Sequence, residues 1–327
     1  MGSESISVVI PVYNSEVTLV PLCAQLESVL TTIGLRYEII LVNDGSRDGS
    51  WQAIRELVEQ RANVIGIDLT RNYGQHSALL CGIRAARHDL LVTMDDDLQH
   101  PPGEIPLLLN KLAEGNDVVY GVPRCEQHGW WREACSTVTK LTLRHIIGVA
   151  AARQVGAFRV FRTYLRKAFE AYRGPSVSID VLLSWATTSF AAVAVRQEPR
   201  RIGKSNYSVR KLIFHAFNMI TGFSNLPLQF ASLAGFVFTL LGLLVVAMVG
   251  GRYLILGTSV PGFAFLTAIT AIFSGTQLLA LGIIGQYLAR MHFRTMGRPA
   301  YTVRVRFSHR QSRAQDDSEP RAASATA

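Results

Sequence analysis

The sequence predicts an α/β fold, an open doubly wound sheet with helices on both faces, with a transmembrane hairpin at its carboxyl-terminal side. Three observations lead there. Short runs rich in Val, Ile and Leu alternate with longer helix-like stretches through the front half, the pattern of βα repeats. Two apolar runs in the back half, 228–251 and 262–287, each exceed the roughly 20 residues that cross a bilayer core. Between Leu212 and Ala289 the one formally charged side chain is Arg252.

The strand candidates are Ile6–Val12, Tyr37–Val42, Asn63–Leu69, Asp89–Met94 and Asp117–Gly121. They are apolar on both faces, as strands inside a parallel sheet are. Helix-like stretches lie between them at Glu16–Ile33, Gly49–Gln60, Ser77–Arg87 and Pro102–Glu114. The last opens with Pro and acid and stops at Gly115, as helix punctuation requires. Beyond it Trp130–Ile147 has a helical period, Val155–Phe161 and Phe190–Val195 read as strands, and Ile179–Thr187 reads as a helix. Tyr207–Phe223 mixes Arg210, Lys211 and His215 with large apolar residues, the composition of a helix lying in a membrane interface. The expected organisation is a cytosolic α/β domain over 1–206, the interfacial helix over 207–225 and the hairpin over 226–289. A basic return segment over 290–307 and a disordered tail over 308–327 follow.

Charge sharpens this reading. The 327-residue chain has a formal net charge of +9, 49% hydrophobic residues and a mean hydropathy of +0.21. Residues 1–195 hold 18 Lys/Arg against 20 Asp/Glu, whereas 196–327 hold 15 against 4. Six basic residues from Arg196 to Lys211 precede the hairpin and seven from Arg290 to Arg313 follow it. This is a collar rather than a nucleic-acid footprint, and positive-inside logic puts both termini in the cytoplasm, with the spans in the inner membrane. Cys23, Cys81, Cys125 and Cys135 form no CxxC pair and are too sparse for a disulfide scaffold. Met1–Ser5 lead directly into the first strand without a basic n-region, so no cleavable signal peptide is expected.

In doubly wound sheets ligands bind beyond the carboxyl ends of the strands, and the chemistry-bearing residues fall there. Asp95, Asp96 and Asp97 follow the fourth strand. Three adjacent carboxylates repel one another, a cost relieved by a divalent cation bridging a diphosphate rather than by a loop that merely caps the next helix. On extended backbone Asp95, Asp97 and Gln99 share one side and Asp96 takes the other. Asp44, after the second strand, either accepts from a nucleobase or ribose or forms a turn with Gly45. Tyr13, in Pro11-Val12-Tyr13-Asn14, either stacks on a base or belongs to an ordinary β-to-α turn. No GxGxxG follows the first strand and no GxxxxGK[ST] occurs, which argues against a dinucleotide oxidoreductase and a P-loop NTPase. The histidines show no HExxH spacing.

Taken together, Pro11–Asn14, Asn43–Ser46, Arg71–Ala78, Asp95–Pro102 and Arg201–Tyr207 resemble the family 2 glycosyltransferases that load a sugar onto a polyisoprenyl phosphate. The resemblance implies a GT-A fold, a mixed doubly wound sheet, and a nucleotide-sugar donor, with a lean to UDP. It implies donor contacts from Pro11, Tyr13, Asn14, Glu16, Asp44, Arg71, Asp95 and Asp96. Asp95, Asp97 and Gln99 would hold Mg²⁺ or Mn²⁺. Arg124, Arg132, Ser136, Arg201 and Lys204 would face the polyprenyl phosphate acceptor. A homo-oligomer, up to a tetramer, is also implied. Ser15 stands where the family has Glu, with Glu16 next, and Asn206 stands where it has Lys, with Lys204 nearby.

Chemistry fits this assignment. Departure of a diphosphate needs charge stabilisation, which a bound metal gives as a Lewis acid. A phosphate acceptor ionises near pH 6 and needs no general base, so Asp180 reads as a helix N-terminal residue favoured by the dipole rather than as a base. Direct attack inverts the anomeric carbon. A processive polysaccharide synthase would have more spans and a Gln-x-x-Arg-Trp motif; a silent membrane scaffold would not need the Asp95/Asp97 pair.

Overall fold

Eight successive buried residues, Ser5–Val12, make β1 the spine of the sheet. The computed structural model describes residues 4–123, 156–174, 177–198, 226–256, 262–297 and 299–309. The chain divides into two units, Met1–Asn206 with Arg298–Ala327, and Tyr207–Gly297.

In the first unit β1 is followed by α1 (Glu16–Ile33), β2 (Arg36–Asn43), α2 (Ser50–Gln60), β3 (Val64–Leu69), α3 (Gln75–Ala85) and β4 (Leu90–Thr93). Next come α4 (Ile105–Ala113), β5 (Val118–Pro123), β6 (Arg159–Arg162), α5 (Ile179–Ala186), β7 (Phe190–Val195) and, after the second unit, β8 (Val303–Ser308). The strand order is β7-β5-β6-β4-β1-β2-β3-β8. β1 pairs in parallel with β2 on one side and with β4 on the other, so the winding reverses at β1/β4. That switch point opens the crevice in which such sheets bind ligands.

Alternation along β1 sorts the core. Ile6, Val8, Ile10 and Val12 join the apolar layer that includes α1, α2 and α4, while Val9 joins the layer built on α3 and α5. The α3 helix presses close, because a Cβ on Gly82 would stand 2.3 Å from Val9 Cγ1. The apolar α1 is long enough to cross a bilayer, but Leu19, Leu22, Cys23, Leu26 and Leu30 are buried, and it serves as a domain helix.

Two features differ from the expected elements. β6 enters between β4 and β5, antiparallel to both. β8 pairs antiparallel with β3 at the sheet edge, within the stretch read as a return segment. Its sequence, VRVRFS, alternates apolar and basic residues as a half-buried edge strand does. Two of the arginines read as a membrane collar, Arg304 and Arg306, therefore belong to the sheet.

The second unit contains α6 (Leu226–Leu256) and α7 (Phe263–Thr295), of 31 and 33 residues. Phe238 and Phe273 meet edge to face with centroids 5.9 Å apart. The most apolar windows, Leu228–Val245 and Ile272–Ala289, have no buried residue, and Leu254 is 84% exposed. Hydroxyls of Ser232, Thr239, Thr270 and Thr276 donate back to carbonyls four residues earlier, which satisfies them without water. The interfacial helix expected over 207–225 lies outside the described residues.

Replacing Gly82 by Ala is expected to destabilise the chain by about 1–3 kcal/mol through overpacking against Val9. A thermal or denaturant midpoint equal to that of the unmodified chain would contradict the tight α3–β1 approach.

Candidate active site

The carboxyl ends of β1, β2 and β4 lie side by side in the sheet, and each is followed by polar groups. After β1, Tyr13 is 45% exposed and Asn14 adopts φ 55°, a left-handed conformation that Asn tolerates. The Asn14 amide donates to Ser46 Oγ at 3.0 Å, and the Arg47 amide donates to Asn14 Oδ1 at 2.8 Å. The loops after β1 and β2 are thus latched together. Glu16 turns the other way. Its Oε2 accepts from the Gly49 amide at 3.0 Å, and Asp48 Oδ2 accepts from the Glu16 amide at 3.2 Å. These carboxylates join the amino-terminal ends of α1 and α2, where the helix dipoles favour negative charge.

Asp44 is 2% exposed and grips the loop after β3. Its Oδ1 accepts from the Tyr73 amide at 2.7 Å and its Oδ2 from the Gly74 amide at 2.9 Å. Burial pushes the carboxyl above the usual carboxylate range, and the two amides oppose that shift. Gly45, at φ 66°, permits the approach: a Cβ there would sit 2.6 Å from Arg71 C and Asn72 N. Arg71 is exposed, with its guanidinium 4.5 Å from the Tyr73 ring centroid. Both alternatives for Asp44 gave it a local or ligand role; the structure adds a long-range brace.

After β4 the three aspartates diverge. Asp96 Oδ2 accepts from the Tyr13 amide at 3.2 Å across the switch point. Burial raises the Asp96 carboxyl pKa, the Ser15 hydroxyl and Tyr13 amide lower it, and Asp97 adds repulsion. Asp95 Oδ1 accepts from Gln75 Nε2 at 2.5 Å, and Asp97 Oδ1 from the Gln99 amide at 3.1 Å. Gln99 departs from the expected alternation because Leu98 stands at φ 61°, which breaks the extended backbone. The Gln99 Oε1 instead accepts from Gln197 Nε2 at 3.1 Å. Strained backbone of this kind concentrates at functional loops. His100 stacks on Phe158 at 5.3 Å, and burial lowers its pKa.

Among the described residues no three His, Cys, Asp or Glu side chains converge as a metal cage. Mg²⁺ takes only one or two carboxylates when phosphate and water oxygens complete its shell, a number that Asp95 and Asp97 would meet. The donor set fits a hard divalent cation held jointly with a diphosphate.

Asp180 is buried in the first turn of α5. It pairs with buried Arg159 and accepts from Tyr120 Oη at 3.0 Å. Arg159 Nε in turn donates to Thr93 Oγ1 at 2.9 Å, two residues before Asp95. This carboxylate is a structural partner behind the crevice. The sequence reading missed Arg159, whose signal is a lone charge in the apolar run Phe158–Phe161, and Gln75, which lies inside a quoted motif. Arg124, Arg132, Ser136, Arg201 and Lys204 lie outside the described residues.

The model of glycosyl transferase family 2 matches residues 7–173. The chain belongs to this family, and it is a glycosyltransferase. It is 35% identical over 308 residues to the undecaprenyl-phosphate 4-deoxy-4-formamido-L-arabinose transferase of Pseudomonas aeruginosa, covering 92% of this chain and 89% of that one. It is 33% identical over 301 residues to the enzyme of the same name from Aeromonas hydrophila, covering 91% and 92%. Among solved structures the glycosyltransferase is similar to glucosyl-3-phosphoglycerate synthase from Mycobacterium tuberculosis in complex with Mn²⁺, uridine diphosphate and phosphoglyceric acid. That match has a TM-score of 0.48 and 19% identity, over 67% of this chain and 76% of that one.

Asp180→Ala is expected to cost about 3–5 kcal/mol, because Arg159 keeps a buried charge without its partner. The joint change Arg159→Met with Asp180→Leu should recover most of that loss in an unfolding titration. Equal loss in both variants would remove the ion pair as the cause.

Proposed function

We propose that this glycosyltransferase moves a sugar from a UDP-linked donor to undecaprenyl phosphate at the cytoplasmic face of the inner membrane. The observation that carries the reading is the pair Asp95/Asp97 at the β1/β4 switch point, in a chain one-third identical over nine-tenths of its length to transferases named for that lipid. The two apolar helices, which expose unpartnered hydrocarbon and satisfy hydroxyls internally, support a membrane location.

Tyr13 and Arg71 offer an aromatic face and a cation at the mouth of the crevice, where the donor's nucleoside and phosphates enter. Asp44 acts beneath them by holding the loop that carries Arg71 and Tyr73. Asp95 and Asp97 would hold Mg²⁺ or Mn²⁺ against the diphosphate; when bound, the ion supplies Lewis-acid stabilisation of the departing charge. Arg124, Arg132, Ser136, Arg201 and Lys204 are proposed for the acceptor phosphate, where guanidinium forks suit an anion. A phosphate oxygen of the acceptor forms the new bond to the anomeric carbon. The bond to UDP breaks on the opposite side, its electron pair leaves with the diphosphate, and configuration inverts. No proton is abstracted, which agrees with Asp180 being engaged by Arg159.

Membranes containing the chain, supplied with undecaprenyl phosphate and a panel of UDP-sugars that includes the 4-deoxy-4-formamido-L-arabinose donor, should yield a lipid-linked sugar identifiable by mass. Asp97→Ala, or chelation of divalent metal, should lower turnover by about a hundredfold or more. Transfer that persists undiminished after both treatments would refute the metal-dependent reading.

A further inference from the structure

The strand that follows the apolar helices reaches the donor loop. β8 begins eight residues after α7 ends. Its Arg304 pairs with Asp68 Oδ2 at 3.1 Å and donates to the Thr70 carbonyl at 2.9 Å. Asp68 is buried, and its other oxygen accepts from Asn43 Nδ2 at 2.7 Å. Asn43 Oδ1 then accepts from the Ser46 amide at 3.2 Å, in the loop latched to Asn14. On the β3 side the Thr70 amide donates to the Thr302 carbonyl at 3.0 Å, and the Tyr73 hydroxyl bonds to Thr70 and Thr302. One guanidinium therefore bonds the end of β3 at two points, Asp68 and the Thr70 carbonyl, although its side chain is itself 62% exposed.

We propose that Arg304 is a positioning residue for donor binding: by clamping Asp68 and the Thr70 carbonyl, it holds Arg71 and Tyr73 over the nucleoside end of the crevice. The inference rests on the UDP-sugar reading above. A planar fork that donates in two directions fits this task, and an ammonium does so less well. Asp68 keeps Asn43 and the Thr70 amide keeps the Thr302 carbonyl if Arg304 is removed, so the sheet stays paired while the Thr70 carbonyl loses its charged donor and the loop beyond it loses one of its restraints. The loop then samples other arrangements, and binding is diluted by the fraction of chains that remain competent.

The test uses the full chain in detergent and measures the Kd of UMP without metal and of UDP with Mg²⁺. Arg304→Ala should weaken both ligands by a similar factor, about tenfold given the usual strength of charge-assisted hydrogen bonds, and raise the donor KM while kcat changes little. Arg304→Lys should fall between the two. Arg61→Ala, which breaks the remote Arg61–Glu27 pair, should leave both constants unchanged. If Arg304→Ala lowers the thermal midpoint but binds UMP and UDP like the unmodified chain, the positioning role is overturned and only a structural role remains. If the unmodified chain binds neither nucleotide, the donor reading itself fails, which is a separate outcome.

Discussion

Carboxylates follow both β2 and β4, Asp44 after the one and Asp95–Asp97 after the other, and the rest of the structure must make them tolerable. Burial raises the cost of ionising Asp44 and Asp96, and Asp97 adds repulsion at Asp96. The chain divides them by the kind of partner each receives. Asp44 takes two main-chain amides and Asp96 takes one across the switch point. Both are thereby used to set loop positions. Asp95 accepts from Gln75 and Asp97 from the Gln99 amide. In the proposed function, the division is between carboxylates that hold loops and carboxylates that would hold a cation.

Charge is handled the same way below the crevice. Arg159 and Asp180, with Tyr120 and Thr93, join β4, β5, β6 and α5 inside the apolar layers. Glu38 accepts from Ser7 and from the Arg87 amide, which fixes the start of the approach to β4. Such buried polar groups add little net stability. Their effect is register: each makes sense with only one arrangement of its strands, so the ends of those strands meet in one geometry.

How far this was legible depends on the kind of signal. The central parallel strands are continuous apolar runs, and the aspartates follow their ends, so both could be read from residue type and order. The strand at Val155–Phe161 is legible as an apolar run and overlaps β6, but its insertion between β4 and β5, antiparallel to both, depends on long-range pairing that no hydropathy pattern carries. β8 hides for a different reason, since its Arg304 and Arg306 fit a flanking collar as well as they fit an edge strand. Gln99 was placed beside Asp95 and Asp97 by assuming extended backbone, and a left-handed Leu98 is something no propensity indicates. Asp44 shows the limit most clearly. Asp-Gly is a local turn signal, whereas its actual partners, Tyr73 and Gly74, lie 29 and 30 residues away.

β8 also constrains the membrane reading. Its antiparallel pairing with β3 means that the chain leaving α7 returns to the sheet it left before α6. If α6 and α7 cross the bilayer, they must therefore do so as a pair whose outer ends emerge on the same face. Flanking charge points to the same arrangement independently, because Lys and Arg cluster before α6 and at the end of α7 rather than between them. Chain order puts sheet strands both before α6 and after α7, which suits the proposed enzyme, whose acceptor phosphate stays at the bilayer surface.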